Sequence, residues 1–240
     1  MKQLKQLKII AAIPCLNTEQ FIGGVLRKAK KHVDQLIVID DGSQDNTAEV
    51  ARAAEALVIR HVINKGYGEA IKSCFEAGKA NAADVLVILD GDGQHDPDEI
   101  SRLLAPIIQR EADLTIGSRF LGNNVKIPHY RKFGISVITW LFNFGSKTKV
   151  SDSQSGFRAY SKKALESLLL SERGMSISIE ILEKARRKGV VIKEVPISCF
   201  YPPSSLNLKT IRHGLSVAFL VFKIRLKESL FTKAKRNGRA

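Results

Sequence analysis

The sequence predicts an α/β protein built around a mainly parallel sheet, and three features of the chain support this fold class. Short apolar segments of strand length alternate with helical patterns through about residue 118. Polar or acidic residues directly follow three of the five predicted strands, at the position where open parallel sheets bind ligands. The 240 residues are enough to bury a substantial core, and the hydrophobic content of 44% is ordinary for a globular protein.

Five strands and four helices are predicted in this first part of the chain. The strands cover residues 9–13, 36–39, 57–62, 85–89 and 114–116, and the helices cover residues 19–30, 46–55, 68–80 and 97–110. Longer apolar helices follow at 128–146 and 207–231, with a shorter helix at 176–188 before a strand at 190–198. No repeat or Ser/Gly-rich linker interrupts the chain. We therefore expect one domain, with a main part at 1–206 and a basic amphipathic C-terminal helix and tail at 207–240.

The formal net charge of the chain is +14, and the positive charge is concentrated near the C-terminus. Residues 212–240 contain eight Lys or Arg residues and one acid, Glu228. Such an excess favours a membrane surface, a nucleic acid or phosphorylated substrates as partners. Aromatic residues make up only 7% of the chain, and no helix-turn-helix or base-stacking motif accompanies the charge. A nucleic-acid-binding module is therefore a remote alternative.

The sequence shows neither a signal peptide nor a membrane-spanning segment. Its longest uncharged stretch, residues 133–146, is shorter than the roughly 20 residues that a spanning helix needs. Cys15, Cys74 and Cys199 lie far apart, which predicts a reduced protein without structural zinc. Apolar segments at 133–142 and 215–222 have basic borders, so they either pack on the protein's own core or lie in a bilayer interface. We expect a cytoplasmic protein bound peripherally to the cytoplasmic face of a membrane.

An acidic stretch directly follows the predicted strand at 85–89. Five acids occur within residues 90–99, and three of them, Asp96, Asp98 and Glu99, fit a helix start. Asp96 is the expected N-cap and Pro97 the first helical residue, and Glu99 would reach back as in a capping box. Asp90, Asp92 and Gln94 remain unexplained by this interpretation.

Asp90, Asp92 and Gln94 are alternate residues just beyond a strand, so their side-chain oxygens can point toward a common centre. Carboxylate and amide oxygens are typical ligands of hard divalent cations, and the alternative is an exposed acidic loop. An EF-hand is excluded because its sixth and twelfth positions would be His95 and Ser101. Phosphatases of the haloacid dehalogenase type also have an Asp-x-Asp motif after an apolar strand. These enzymes usually carry a second acidic pair later in the chain, and none is found downstream of Asp152.

A cation held by Asp90 and Asp92 could bind a nucleoside diphosphate and stabilise the charge of the departing diphosphate. Asp40 and Asp41, which follow the second strand, could then accept hydrogen bonds from a base or ribose. No glycine-rich phosphate loop follows the first strand, which argues against a dinucleotide-binding enzyme. These features together suit a sugar nucleotide.

Several ordered motifs resemble those of family two glycosyltransferases. They are Ile13-Pro14-Cys15-Leu16-Asn17, Val38-Ile39-Asp40-Asp41-Gly42-Ser43 with Asp45 and Thr47, Asn64-Lys65-Gly66, and Asp90-Gly91-Asp92-Gly93-Gln94. Later motifs are similar to the dolichyl-phosphate mannose synthase branch, and they are Gly117-Ser118-Arg119, Asp152 with Ser155-Gly156-Phe157-Arg158, and Glu194-Val195-Pro196-Ile197. The resemblance covers about residues 9–200.

This resemblance implies a nucleotide-diphospho-sugar transferase (GT-A, Rossmann-like) fold and inverting transfer of a hexose to a polyprenyl phosphate. The implied metal ligands for Mg²⁺ or Mn²⁺ are Asp90, Asp92 and Gln94. The implied nucleotide-sugar-binding residues are Pro14, Asn17, Glu19, Asp40, Asp41, Lys65, Gly66, Asp90, Gly91, Asp92, Arg119 and Arg158. Arg119, Arg131 and Arg158 would contact phosphate groups of donor or acceptor, or else pair with carboxylates or solvent.

The acceptor decides whether a general base is required. A phosphate acceptor has a second pKa of about 6, so it is largely ionised at neutral pH and needs no base. A hydroxyl acceptor, as in polysaccharide or glycan synthesis, would need one, and Glu180 is then the main candidate, with a structural or acceptor-positioning role as its alternative. The expected catalytic residues are therefore Asp92, Arg119, Arg131 and Glu180.

Two positions depart from the family's pattern. Thr18 stands directly after Asn17, where the family usually has Glu, so only Glu19 matches the second acidic position. After Ile197 this chain has Tyr201-Pro202-Pro203-Ser204-Ser205 in place of an arginine-containing segment.

Overall fold

The computed structural model describes residues 7–122, 127–146 and 148–201. Its seven strands form one sheet in the order β3-β2-β1-β4-β6-β5-β7. The strands are β1 (Ile9–Cys15), β2 (Gln35–Asp40), β3 (Leu57–Arg60), β4 (Val85–Ile88), β5 (Leu114–Ser118), β6 (Arg158–Ser161) and β7 (Ile192–Pro196). The helices are α1 (Glu19–Ala29), α2 (Thr47–Ala53), α3 (Tyr67–Ala80), α4 (Ile100–Ile108), α5 (His129–Asn143), α6 (Lys162–Ser167) and α7 (Ile177–Arg187).

The sheet is mainly parallel, as the alternating pattern predicted. β1 pairs in parallel with β2 and β4, β2 pairs in parallel with β3, and β5 pairs in parallel with β7. The sequence analysis missed β6, which lies antiparallel between β4 and β5. Its four residues begin with a charged side chain, Arg158, so they lack the apolar run by which the other strands were recognised.

The core lies on both faces of this sheet. Ile10 and Ala12 of β1 pack toward α3, α5, α6 and α7, whereas Ala11 and Ile13 pack toward α1, α2 and α4. Alternation along the strand is expected because successive side chains point to opposite faces. The central strands are apolar on both faces, which is typical of a sheet covered by helices on both sides.

The acidic stretch after β4 begins a helix, but in two steps. Asp96 accepts a hydrogen bond from the Asp98 amide at 3.3 Å, and Pro97 is the first residue of a 3₁₀ turn that leads into α4. Glu99 does not close the expected capping box. Its carboxylate instead accepts a hydrogen bond from the amide of Ser198 at 2.7 Å, which holds the chain after β7 against the start of α4.

The helix predicted at 207–231 and the C-terminal part at 207–240 lie outside the described residues. Within the part of the chain that the structure describes, each helix is too short or too polar to cross a membrane.

Candidate functional site

The loops after β1 and β2 are joined by hydrogen bonds. Asn17, whose φ angle is 52°, donates its amide to the hydroxyl of Ser43 at 2.9 Å and accepts from the Gln44 amide at 2.9 Å. Glu19 accepts from the amide of Asn46 at 2.9 Å. Asn17 and Glu19, two of the residues that the family resemblance assigned to nucleotide binding, therefore fix the shape of the loops at this edge of the sheet.

Asp40, at the end of β2, is fully buried and has one oxygen without a hydrogen-bond partner. Its Oδ1 accepts from the amide of Ser43 at 2.9 Å, whereas Oδ2 accepts no hydrogen bond from the described residues. Arg60 places its Nε 3.1 Å from Oδ2 as an ion pair, outside hydrogen-bond alignment, and donates through Nη2 to the carbonyl of Ser43 at 2.6 Å. Because buried polar atoms are normally satisfied, this oxygen fits an N–H or O–H group of a ligand.

Asp41, the next residue, uses both carboxylate oxygens within the protein. Oδ1 lies 2.6 Å from Nδ1 of His61 and accepts from the amide of Lys65 at 2.9 Å. Oδ2 accepts from the amide of Gly66 at 2.8 Å, where φ is 94° and favours glycine. The Asp41 carboxylate thus holds the loop of residues 64–66 and leaves the Lys65 side chain exposed.

Asp90 and Asp92 follow β4, at the same edge of the sheet as Asp40. Asp90 accepts a hydrogen bond from the Tyr67 hydroxyl at 3.2 Å. Asp92 accepts from the amide of Gln94 at 3.0 Å and from its side-chain nitrogen at 2.8 Å. Gln94 therefore orients the Asp92 carboxylate.

Burial raises the pKa of both carboxyls. For Asp90, the Tyr67 hydroxyl and the charges of Arg119 and Arg158 oppose the effect of burial without cancelling it. For Asp92, the negative charge of Asp90 raises the pKa further. Two neighbouring carboxyl groups are costly to ionise together, and a cation between them would stabilise their ionised forms.

Two glycines bring neighbouring segments close to this pair. A Cβ at Gly91 would lie 2.4 Å from the sulfur of Cys15, and the Gly91 amide donates to the carbonyl of Pro14 at 3.3 Å. A Cβ at Gly156 would lie 2.7 Å from Oδ2 of Asp90. The loop after β4 therefore rests on β1, and the segment before β6 closes onto the Asp90 carboxylate.

The donor set fits a divalent cation that shares its coordination with a ligand. Within residues 7–122, 127–146 and 148–201, three or more His, Cys, Asp or Glu side chains nowhere converge as a metal cage. Mg²⁺ typically uses one or two protein carboxylates, with substrate phosphates and water completing its shell. Asp90 and Asp92 match that pattern.

Arg119, at the end of β5, makes a two-pronged ion pair with Asp152. Its Nε and Nη2 donate to the two carboxylate oxygens at 2.6 and 2.8 Å, and its Nη1 donates to the Tyr201 hydroxyl at 2.9 Å. Burial alone would lower the pKa of Arg119, but Asp152 outweighs it and raises that pKa. The guanidinium is therefore a fixed, permanent cation.

Glu194 of β7 holds the backbone segment that carries Asp152. Its carboxylate accepts from the amide of Ser151 at 2.7 Å and from the amide of Asp152 at 3.0 Å. The motif Glu194-Val195-Pro196-Ile197 thereby positions Asp152, and through it Arg119.

Arg131 and Arg158, the other two arginines expected to contact phosphate, differ from Arg119 in their surroundings. Arg131, on α5, is half-buried, and its guanidinium carbon lies 5.1 Å from the centre of the Tyr201 ring. Arg158 is 2% exposed. Its three guanidinium nitrogens donate to the carbonyls of Ser153, Ser155 and Ser178 at 2.9, 2.8 and 3.1 Å. Arg158 therefore supports Asp90 by charge, and its side chain is enclosed by the main chain in this structure.

Glu180, on α7, holds a loop. Its carboxylate accepts from the amides of Ser171 and Glu172, each at 2.9 Å, and pairs with Lys184 at 2.7 Å. Burial would raise the pKa of Glu180, but Lys184 and these donors outweigh it and lower that pKa. A general base needs a free oxygen and a pKa near the working pH, and neither is found here.

Sequence reasoning missed Tyr67, His61, Arg60 and Tyr201. Tyr67 lies in Gly66-Tyr67-Gly68, which reads as a tight turn. Its closeness to Asp90 follows from the packing of α3 against β1 and β4, the strand that Asp90 follows. Tyr201 lies in the segment that departs from the family's pattern, and that departure was the one available signal.

Comparison with known proteins identifies the family. A family model described as glycosyl transferase family 2 matches residues 10–169. The chain belongs to this family. The match includes the loops after β1, β2 and β4 together with Arg119, so the family two motifs coincide with the site described above.

Relatives within glycosyltransferase family 2 include enzymes named for polyprenyl-phosphate acceptors. The UDP-N-acetylglucosamine–dolichyl-phosphate N-acetylglucosaminyltransferase of Methanococcus voltae is 34% identical, over 89% of this chain and 93% of that protein. The undecaprenyl-phosphate mannosyltransferase of Micrococcus luteus is 32% identical, over 80% of this chain and 83% of that protein. The resemblance to the polyprenyl-phosphate branch is thereby confirmed.

Solved structures confirm the GT-A fold. Glucosyl-3-phosphoglycerate synthase from Mycobacterium tuberculosis, crystallised with Mn²⁺, UDP-glucose and phosphoglyceric acid, superposes with a TM-score of 0.73. Its sequence is 24% identical, and the match covers 91% of this chain and 79% of that one. The two chains share the fold of a glycosyltransferase.

Proposed function

We propose that this protein is an inverting glycosyltransferase that moves a hexose from a nucleotide-diphospho-sugar to a polyprenyl phosphate. One observation carries the proposal. Asp90 and Asp92 stand together beyond β4, at the sheet edge where one oxygen of the buried Asp40 accepts no hydrogen bond from the described residues. The edge thus offers groups for a metal-bound diphosphate and for a nucleoside, and the names of the relatives support the lipid phosphate as acceptor.

Asp90 and Asp92, with Gln94 beside them, would hold Mg²⁺ or Mn²⁺. Bound there, the metal would neutralise the diphosphate and stabilise its departure. Gln94 fixes the Asp92 carboxylate and Tyr67 fixes Asp90, so both ligands are oriented in advance.

The nucleoside would lie over the loops after β1, β2 and β3. Asp40 would accept a hydrogen bond through Oδ2, which is paired with Arg60 by charge alone, and Arg60 lies close enough to donate to the same group. Pro14, Asn17, Glu19, Asp41 and Gly66 would act through loop shape, since each takes part in a hydrogen bond that holds these loops, and Lys65 would act through its exposed side chain.

The acceptor phosphate would attack the anomeric carbon directly. One phosphate oxygen forms the new C–O bond while the bond to the nucleoside diphosphate breaks on the opposite face, which inverts the configuration. A phosphate monoester is largely ionised at neutral pH, so the step needs no protein base. The partners and the lowered pKa of Glu180 agree with this mechanism. Arg119 and Arg131 would provide the positive charge that attracts the phosphate.

A lipid acceptor also requires contact with a membrane, and α5 offers a surface for it. Phe133 and Trp140, seven residues apart on α5, and Phe144, the residue directly after the helix, are 73%, 63% and 65% exposed. The opposite side of the helix, with Ile138 and Phe142, is buried in the core. We propose that the exposed aromatic face lies in the bilayer interface, with Lys132 and Lys149 near anionic headgroups.

The function is tested by screening nucleotide sugars with the purified protein and a polyprenyl phosphate, with and without Mg²⁺ or Mn²⁺. We expect metal-dependent transfer from one nucleotide sugar to the lipid phosphate. Transfer to a sugar or protein hydroxyl, with polyprenyl phosphate ignored, would contradict the proposed acceptor and leave the family assignment in place.

A further inference from the structure

The chain after β7 returns over the metal-binding loop. Phe200 donates its amide to the carbonyl of Gln94 at 2.8 Å, and Cys199 forms an antiparallel bridge with His95. Ser198 is held by Glu99. These contacts fix the backbone just before Tyr201, so the position of this side chain is set by the same loop that carries Asp92.

Tyr201 lies between the two arginines that we assign to the acceptor. Its hydroxyl accepts a hydrogen bond from Nη1 of Arg119 at 2.9 Å, and its ring lies 5.1 Å from the guanidinium carbon of Arg131. A cation within about 6 Å of an aromatic centre is attracted to the ring face. One side chain therefore contacts both cations, although they belong to different elements, β5 and α5.

The two arginines differ in what they can offer an anion. Arg119 uses Nε and Nη2 on Asp152 and Nη1 on Tyr201, so all three nitrogens already donate to the protein. Arg131 is half-buried, and among the described residues it donates one hydrogen bond, from Nε to the hydroxyl of Tyr130 at 3.3 Å. Arg119 thus acts as an anchor, and Arg131 retains donors for a ligand.

The Tyr201 hydroxyl itself is a donor. Because it accepts from Arg119, its own proton can be given to another group, and within the protein its neighbour is the Cys199 thiol, a weak acceptor that a phosphate oxygen would replace. Burial raises the pKa of Tyr201 to about 12, against the opposing charge of Arg119. The hydroxyl therefore keeps its proton at neutral pH.

We propose that Tyr201 is a binding and positioning residue for the acceptor phosphate. Its hydroxyl, oriented by Arg119, donates to a phosphate oxygen, and its ring holds Arg131 so that the guanidinium contacts the same phosphate. The inference rests on the proposed function and extends it. The phosphate would be recognised by a neutral donor, the Tyr201 hydroxyl, and by the Arg131 cation at the Tyr201 ring, while Arg119 anchors the hydroxyl.

Two substitutions separate the two contacts of Tyr201 in the full-length chain. Tyr201→Phe removes the hydroxyl and keeps the ring, whereas Tyr201→Leu removes both. With polyprenyl phosphate as acceptor, we expect Tyr201→Phe to raise the acceptor KM about tenfold or more, the usual effect of losing a hydrogen bond to a charged group. Tyr201→Leu should raise it about threefold further, through loss of the contact with Arg131. Donor KM should stay within about twofold in both.

Phe200→Leu is the matched control, because it removes the adjacent, 69% exposed ring and keeps the amide that donates to Gln94. Its acceptor KM should equal that of the wild type. A wild-type acceptor KM in Tyr201→Phe, or an equal rise in donor and acceptor KM, would overturn the inference alone. Wild-type protein that ignores polyprenyl phosphate would overturn the proposed function as well. If Tyr201→Leu does not fold, Tyr201→Phe decides.

Discussion

The hydroxyl of Tyr67 donates a hydrogen bond to Asp90 at 3.2 Å and so joins the first turn of α3 to the loop after β4. Burial raises the pKa of Tyr67 well above its usual value, and the negative charge of Asp90 adds to this effect, so the phenol remains a donor. The hydrogen bond thus orients the Asp90 carboxylate of the proposed metal-binding pair, although α3 itself contributes no charged metal ligand.

Removing this bond should weaken metal binding. In Tyr67→Phe the ring still fills its place, but Asp90 loses an orienting donor. Outer partners of metal ligands typically contribute about 10- to 100-fold in affinity, so we expect the Mn²⁺ affinity in the presence of nucleoside diphosphate to fall by about tenfold. Calorimetric titration with Mn²⁺ measures the change. An unchanged affinity would show that Asp90 is oriented without Tyr67.

Asp92→Asn should reduce transfer by at least about 100-fold, because it removes a charge at constant size from a preorganised electrostatic site. Asp96→Asn is a matched control on the same loop, since Asn also serves as a helix N-cap and Asp96 lies outside the proposed pair. Its transfer rate should remain near that of the wild type. Full wild-type activity in excess chelator would contradict the metal hypothesis.

Gly156→Ala should disturb the same site by crowding. The added Cβ would lie 2.7 Å from Oδ2 of Asp90 and 2.9 Å from the Tyr67 hydroxyl, so the carboxylate must shift. We expect at least a tenfold loss of kcat/KM for the donor. Gly134→Ala, within α5 and with no atom of another described segment within 4 Å of its Cβ, should leave the donor kcat/KM unchanged. Equal donor kinetics in the two variants would mean that Asp90 tolerates displacement.

Glu180→Gln should lower stability in a pH-dependent way. The pKa of Glu180 is lowered from 4.5 in the folded state, so its ionised form stabilises the fold above about that pH. This contribution is lost as the pH falls through the lowered value. Urea unfolding at pH 7 should therefore show a loss of about 1–3 kcal/mol, and the difference from the wild type should shrink below pH 4.5.

Glu166→Gln, an exposed acid on α6, provides the comparison and should leave the free energy of unfolding unchanged at both pH values. Kinetics give a second readout for Glu180. A collapse of kcat in Glu180→Gln, with unfolding like that of the wild type, would favour a general base and a hydroxyl acceptor.

Membrane contact should depend on the aromatic face of α5 and on the basic tail. The full-length protein should float with anionic vesicles at low salt and be released at high salt, because each basic residue near the surface contributes about 1 kcal/mol. Replacing Trp140 and Phe144 by Ser, or removing residues 223–240, should weaken flotation. Leu169→Ser, which removes a 72% exposed apolar side chain outside α5, should float like the wild type. Equal flotation of all variants would contradict this surface.

The sequence determined the parallel strands of the sheet and the edge of the sheet at which the site lies. The apolar strands β1, β2 and β4 are readable as strands because each is buried on both faces, and the polar groups after them meet because parallel strands end at one edge. The pairing of Asp90 with Asp92, and the position of Asp40 at the same edge, followed from local order alone.

Only the tertiary structure decided which side chains remain available at that edge. Asp40 and Asp41 are adjacent, yet one oxygen of Asp40 accepts no hydrogen bond from the described residues, whereas both oxygens of Asp41 accept from the loop of residues 64–66. Arg158 looks like a phosphate ligand in sequence but donates to three carbonyls in the core. Tyr201 reaches Arg119 across 82 residues. Local periodicity reports which face of an element is buried, whereas the partners of a polar side chain depend on contacts between segments that are distant in sequence.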